Sequence, residues 1–111
     1  MATQGLVTVM SGKKVLMKIV AGCDGDNAFK LADQLRDQWP LNPEEVYALA
    51  LQMRFGGQDD LVVTDGVSAV FEGETIPVAD LGPLYCTMFD APNFNPRWSQ
   101  GTADYVTLVD V

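Results

Sequence analysis

The sequence predicts an α+β fold, a mainly antiparallel sheet of about five strands with two main helices packed on one face. Two pairs of β-rich runs, each joined by a short glycine-containing turn, predict hairpins. Between them lie two consecutive runs with the helical period of 3.6 residues. A chain of 111 residues has the length of one domain. We therefore expect the order β-β-α-α-β-β-α-β within a single domain, 1–111.

The first hairpin and the helix after it form the predicted core unit. Residues 6–10 and 15–20 are β-branched and aliphatic, and the acidic turn 22–27 ends the second strand. We expect Asp26 or Asn27 to cap the next helix and Pro40 to end it. One apolar stripe of this helix should pack on the hairpin: Ala28, Leu31, Ala32, Leu35 and Trp39.

The later elements follow from equally local signals. Asn42 and Pro43 start a second helix, which should run to about residue 54 or 55 before two glycines. Residues 60–64 and 67–71 flank Asp65-Gly66, the signature of a type I′ hairpin turn. A short edge at 76–78, a short helix at 81–89, a loop at 90–101 and a last strand at 102–111 complete the chain.

The predicted sheet has a second face that the two helices leave uncovered. Leu61, Val62 and Val63 are consecutive apolar residues in one strand, which favours burial on both faces. We expect that second face to be either solvated or buried in a homodimer.

Composition and charge narrow the classes of partner. The net charge is −8, and the seven basic residues are scattered, so direct nucleic-acid binding is not expected. The same acidity is typical of a soluble protein, or of a nucleic-acid mimic that occupies a DNA-binding partner. No apolar run approaches the ~20 residues of a membrane span, and no signal peptide is recognisable. Two cysteines in unrelated contexts favour a reduced, cytoplasmic protein.

The residues that usually carry catalysis or bind metals are sparse. The chain has no histidine, which removes the commonest general base and metal ligand. Cys23 precedes a helix N-terminus, a favourable place for a thiolate, but we expect Asp24 and Asp26 to raise its pKa. Residues 24–27 resemble the start of a calcium loop, yet position twelve is Leu35 and not a glutamate. We predict no metal and no cofactor.

The loop at 92–98 is the strongest candidate for a binding surface. Phe94, Arg97 and Trp98 belong to residue types enriched at interface hot spots, and flanking prolines limit the entropy lost on binding. The other interpretation is that both aromatic side chains cover the core. Asp24 and Asp26 of the acidic turn are further candidate contacts for a protein or small ligand.

The chain carries Thr3-Gln-Gly-Leu-Val-Thr-Val9, then Cys23-Asp-Gly25 after the predicted second strand, and later Asn95-Pro-Arg-Trp-Ser-Gln-Gly-Thr-Ala-Asp-Tyr105. These three stretches, 21 of the 111 residues, resemble small phage and bacterial proteins that begin Met-x-Thr-Arg-Gly and carry an Asp-Gly turn after the second strand. In this chain Gln4 replaces the arginine. The resemblance implies a mobile or accessory gene as the setting and carries no mechanism.

The predicted order of elements is also similar to the core of N-terminal-nucleophile hydrolases. That resemblance implies Thr3 as nucleophile with its own amine as base, but Ala2 stands in front of Thr3. The function we expect is a non-catalytic binding module, acting as a homodimer. The alternatives are a degenerate or processed amide hydrolase that uses Thr3 or Cys23, and the nucleic-acid mimic.

Overall fold

The computed structural model describes residues 3–80 and 104–111. The strands are β1 Gly5–Ser11, β2 Lys14–Ala21, β3 Leu61–Thr64, β4 Ser68–Phe71, β5 Glu74–Pro77 and β6 Tyr105–Asp110. The helices are α1 Ala28–Gln38 and α2 Pro43–Gln52, and short 3-10 turns occupy Gly25–Asn27 and Val78–Asp80. The helix and the loop predicted at 81–89 and 90–101 lie outside the described residues.

All the described strands belong to one mixed sheet of six strands, in the order β5-β4-β3-β2-β1-β6. Neighbouring strands are antiparallel except β1 and β6, which are parallel with Gly5 beside Tyr105. The α+β class is therefore confirmed, whereas the prediction of five strands is wrong. The sixth strand is β5, which forms an edge of the sheet where a short edge at 76–78 was predicted, and Pro77 occupies its last position.

One face of the sheet carries both helices and the larger core. The predicted stripe of α1 is confirmed for Ala28, Leu31, Ala32 and Leu35, which are all buried. Its last member, Trp39, follows the helix and is only partly buried against the same core. These side chains contact a cluster that includes Val7, Val9, Ile19 and Val63 from the sheet and Phe55 after α2. In the described part of the chain, no helix is long and apolar enough to cross a membrane.

The second face of the sheet is buried within the single chain. Leu6, Val20, Val62, Ala69 and Val78 form a separate apolar cluster, and none is more than 6% exposed. These side chains are already removed from solvent, so this face does not need a second copy to cover it. The prediction that this face is solvated is therefore wrong for these five residues, whereas the homodimer stays a prediction.

Two local features fix how the helices join the sheet. α2 begins with a complete capping box, in which the side chains of Asn42 and Glu45 each accept the other's backbone N–H, at 2.8 and 3.0 Å. Ahead of α1, the backbone N–H of Gly25 donates to the Thr3 carbonyl at 2.9 Å. A Cβ at Gly25 would lie 2.5 Å from the backbone C of Gln4 and from the backbone N of Gly5, so only glycine permits this approach.

Candidate functional site

The acidic turn joins β2 to α1, and the structure places both of its predicted contact residues on the surface. Asp24 and Asp26 are exposed, and Asp24 adopts a left-handed conformation with φ of 55°. The predicted side-chain cap by Asp26 or Asn27 is wrong: Asn27 holds the N-cap position, but its Nδ2 donates to the Arg54 carbonyl at 2.8 Å. The turn is therefore tied to the end of α2.

Cys23 lies near the carboxylates of Asp59 and Asp60, in the connection between α2 and β3. A hydrogen bond to Asp60, partial burial and the charges of Asp60, Asp24 and Asp59 raise the pKa of the Cys23 thiol to about 12. The bond to Asp60 is the largest of these causes, and the contact to Asp24 Oδ2 is long, at 3.9 Å. The raised pKa is as the sequence predicts, but the second carboxylate in sequence, Asp26, is not among its causes.

This environment disfavours a nucleophilic role for Cys23. A nucleophilic cysteine reacts as thiolate, and a thiol with so high a pKa stays protonated near neutral pH. Among the described residues, no group of three or more carboxylates and thiols is arranged to hold a metal ion. An open depression of about 470 Å³ lies nearby, lined by Gln58, Asp59 and Glu72. These three described lining residues are polar or charged, unlike the mainly apolar lining of a typical small-molecule site.

A buried polar row crosses the centre of the second face. Thr8, Lys18 and Thr64 lie side by side on β1, β2 and β3, and none is more than 1% exposed. The Thr64 hydroxyl donates to the Ser68 carbonyl at 2.8 Å, whereas Thr8 Oγ1 has no hydrogen-bond partner within the described residues. A lysine is almost never fully buried unless its ammonium is paired. A polar interaction of Lys18 therefore lies at the centre of this face.

Among the described strands, β6 forms one edge of the sheet, and none of them covers the outer side of its backbone. The N–H group of Tyr105 donates to the Gln4 carbonyl and that of Val111 to the Met10 carbonyl, at the two ends of the hydrogen-bonded ladder between β6 and β1. Backbone groups alternate in direction along a strand, so Val106, Leu108 and Asp110 direct their N–H and C=O groups away from β1. No strand among residues 3–80 and 104–111 pairs with that outer side.

Exposed apolar side chains surround this open edge. Five large apolar residues are exposed in the described part of the chain, and four of them, Phe29, Tyr105, Leu108 and Val111, lie on β6, directly after it, or on α1 against it. The rings of Phe29 and Tyr105 meet edge to face with centroids 6.4 Å apart. We call these four residues and the outer backbone of β6 the β6 margin.

One arginine contacts the open backbone of the β6 margin. Arg36 of α1 donates from Nη2 to the Leu108 carbonyl at 3.2 Å and from Nη1 to Asp33 at 3.0 Å. Both charged side chains are largely exposed, at 45% and 75%, so their ion pair contributes little stability. The guanidinium satisfies one outward carbonyl of β6, which limits uncontrolled pairing at the edge.

The three loop residues predicted to contact a partner, Phe94, Arg97 and Trp98, lie outside the described residues. Neither the β6 margin nor the buried Lys18 was predicted from the sequence. The available signals were Lys18 in an otherwise apolar strand and the alternation of residues 105–111, but neither states which strand lies at an edge.

Comparison of the chain with protein-family models, curated proteins and solved structures found no match. The resemblances to small phage and bacterial proteins and to N-terminal-nucleophile hydrolases therefore stay predictions.

Proposed function

We propose that this protein is a non-catalytic binding module that takes up an extended segment of a protein chain at the β6 margin. The observation that carries the proposal is the outer backbone of β6, where Val106, Leu108 and Asp110 direct hydrogen-bonding groups away from the sheet. An extended peptide satisfies such groups by adding a strand to the edge.

The side chains of the β6 margin support the same mode of binding. In strand addition, the backbone supplies affinity and alternate side chains supply specificity. Tyr105 and Val111 lie on the helix side of the sheet and Leu108 on the other, with 37%, 41% and 49% of their surfaces exposed. A strand added at this edge would therefore make apolar contacts on both faces of the sheet, in addition to its backbone hydrogen bonds.

The proposed module needs no catalytic residue, and the chemistry of the two candidate nucleophiles agrees with this. The raised pKa of Cys23 keeps its thiol protonated. Thr3 could act as an N-terminal nucleophile only after removal of both preceding residues. If the intact mass corresponds to a chain that begins at Met1 or Ala2, a hydrolase is disfavoured. If it corresponds to a chain that begins at Thr3, a hydrolase is favoured.

A cytoplasmic location and a mobile or accessory gene as the source belong to the same proposal. The support for location is compositional, with two cysteines in unrelated contexts and a net charge of −8. The support for the genetic setting is the resemblance of residues 3–9 and 95–105 to small phage and bacterial proteins.

The test is a pull-down from a bacterial lysate with three forms of the protein. Leu108→Glu places a charge at the centre of the β6 margin, whereas Val67→Glu makes the same change at an exposed residue before β4, with 79% of its surface exposed. A protein captured by the wild type and by Val67→Glu, but lost by Leu108→Glu, supports the proposal. Equal capture by all three forms contradicts it.

The same experiment extends to the loop predicted from the sequence. A Phe94→Ala/Trp98→Ala variant, with its fold checked by circular dichroism, shows whether those aromatic side chains also contribute. Loss of the partner in this variant alone would assign binding to the loop and remove the β6 margin from the proposal.

A further inference from the structure

We infer that the occupant of the β6 margin is the β6 strand of a second copy of this chain, paired antiparallel about a two-fold axis at Leu108. This inference rests on the proposed function, since it names the partner for the same edge. It differs from a dimer through the face of the sheet, because that face is already buried within one chain.

The alternation of the backbone restricts the registers that are possible. In an antiparallel pair, residues that exchange two hydrogen bonds stand directly opposite each other. The outward residues of one β6 must therefore face outward residues of the other. Placing Leu108 opposite Leu108 of the second copy also sets Val106 opposite Asp110, and all three outward residues of both copies are paired.

The side chains favour this register over the neighbouring one. It brings the exposed Leu108 side chains together on one face and places Tyr105 against Val111 of the second copy on the other. A shift that sets Val106 opposite Leu108 would instead place Asp104 opposite Asp110. Like charges directly opposite each other destabilise a strand pair.

A two-fold pair is self-complementary, so each exposed residue of the margin meets its counterpart without a second kind of surface. The net charge of −8 per chain opposes association, but at physiological salt this repulsion is screened beyond about 8 Å. The Leu108 carbonyl must also exchange its bond from Arg36 for one from the second copy. An interface of one strand pair with this exchange should bind with a Kd of about micromolar order.

Disulfide trapping tests the pairing and its register together. The background is Cys23→Ser/Cys86→Ser, into which Leu108→Cys, Val106→Cys or Asp110→Cys is introduced singly. Across the axis the two Cα atoms of residue 108 should lie about 5.5 Å apart, within the range that a disulfide spans. We expect Leu108→Cys to form a covalent dimer on mild oxidation at about micromolar concentration and the other two variants to remain largely monomeric. The double variant Val106→Cys/Asp110→Cys should again cross-link.

Each other outcome decides against the inference. Cross-linking strongest in the Val106→Cys or Asp110→Cys single variant would overturn the register. A monomeric wild type in light scattering, together with no trapping by Leu108→Cys, would overturn pairing with a second copy. In that case a lysate partner that binds the wild type but not Leu108→Glu would still support the proposed binding function. If no such partner is found, both the pairing with a second copy and the proposed function are contradicted.

Discussion

The reactivity of Cys23 gives the sharpest test of the electrostatics at the acidic turn. The thiol pKa rises from its ordinary value of 9.0 to about 12, and a hydrogen bond to Asp60 is the largest cause. At pH 8 such a shift lowers the thiolate fraction about a thousandfold relative to an ordinary cysteine. Cys23 should therefore be alkylated more slowly than a partly exposed cysteine whose pKa is ordinary.

The informative variant is Asp60→Asn, which removes the carboxylate charge but keeps an oxygen to accept the Gly57 N–H at 2.6 Å. We expect the pKa of Cys23 to fall by about one to two units. Each unit raises the thiolate fraction tenfold and lowers its intrinsic reactivity about threefold. The alkylation rate at pH 8 should therefore increase about threefold to tenfold.

The assay is iodoacetamide labelling from pH 7 to 12, followed by peptide mass spectrometry so that Cys23 is read separately from Cys86. Asp26→Asn is the matched control, since Asp26 does not contribute to the raised pKa and its removal should leave the rate unchanged. A wild-type titration midpoint at or below pH 9 would refute this account of the turn. So would an Asp60→Asn variant that reacts more slowly than the wild type.

The same pKa shift predicts how stability depends on pH. The folded-state pKa of Cys23 lies above the unfolded value, so folding favours the protonated thiol. Its contribution to stability is complete below about pH 9 and is lost as the pH rises towards 12. In urea unfolding, the wild type should therefore lose stability relative to Cys23→Ser over that interval, and parallel curves would count against the shift.

Two further predictions concern the elements that hold the fold. Gly25→Ala should lower the free energy of unfolding by about 2–3 kcal/mol, because its Cβ would lie 2.5 Å from backbone atoms. Gly57→Ala is the control, since the nearest atom is the Asp59 carboxylate oxygen at 3.3 Å, and an equal loss in both variants would contradict the argument. Asn42→Ala should cost about 1 kcal/mol by removing the α2 capping box, and a Tm unchanged within error would show that this cap is dispensable.

Local patterns predicted the elements whose geometry depends on nearby residues. The apolar stripe of α1 is recognisable because a helix that packs on a sheet must repeat its buried residues every 3.6 positions. Asn42 and Pro43 marked the start of α2 because capping involves only the first turn. The helix stops at Gln52, ahead of the predicted residue 54 or 55.

The turn between β3 and β4 shows how a local signal can mislead. Asp65-Gly66 predicts a two-residue type I′ turn, which requires positive φ at both residues. Of the two, only Gly66 has positive φ, at 91°. The Asp65 carboxylate instead accepts the N–H groups of Val67 and Ser68, each at 2.9 Å, so the loop is longer and β4 begins at Ser68.

The β6 margin was not predictable because it depends on the order of strands in the sheet. The sequence of β6 is typical of any half-buried strand, and nothing in it specifies parallel pairing with β1. That pairing brings Tyr105 to Phe29 and Leu108 to Arg36, residues that are more than seventy positions apart in the chain. Contacts of this range follow from topology and not from local periodicity.

The central claim is that the outer side of β6 pairs with the β6 strand of a second copy, and self-association of the purified protein tests this pairing most directly. We would measure the molar mass by light scattering after size-exclusion chromatography, from about 1 to 100 μM, for the wild type, Leu108→Glu and Val67→Glu. The account predicts a mass that rises from monomer to dimer for the wild type and Val67→Glu, and a monomer throughout for Leu108→Glu. A wild-type monomer at every concentration, or a dimer that Leu108→Glu leaves intact, would contradict it.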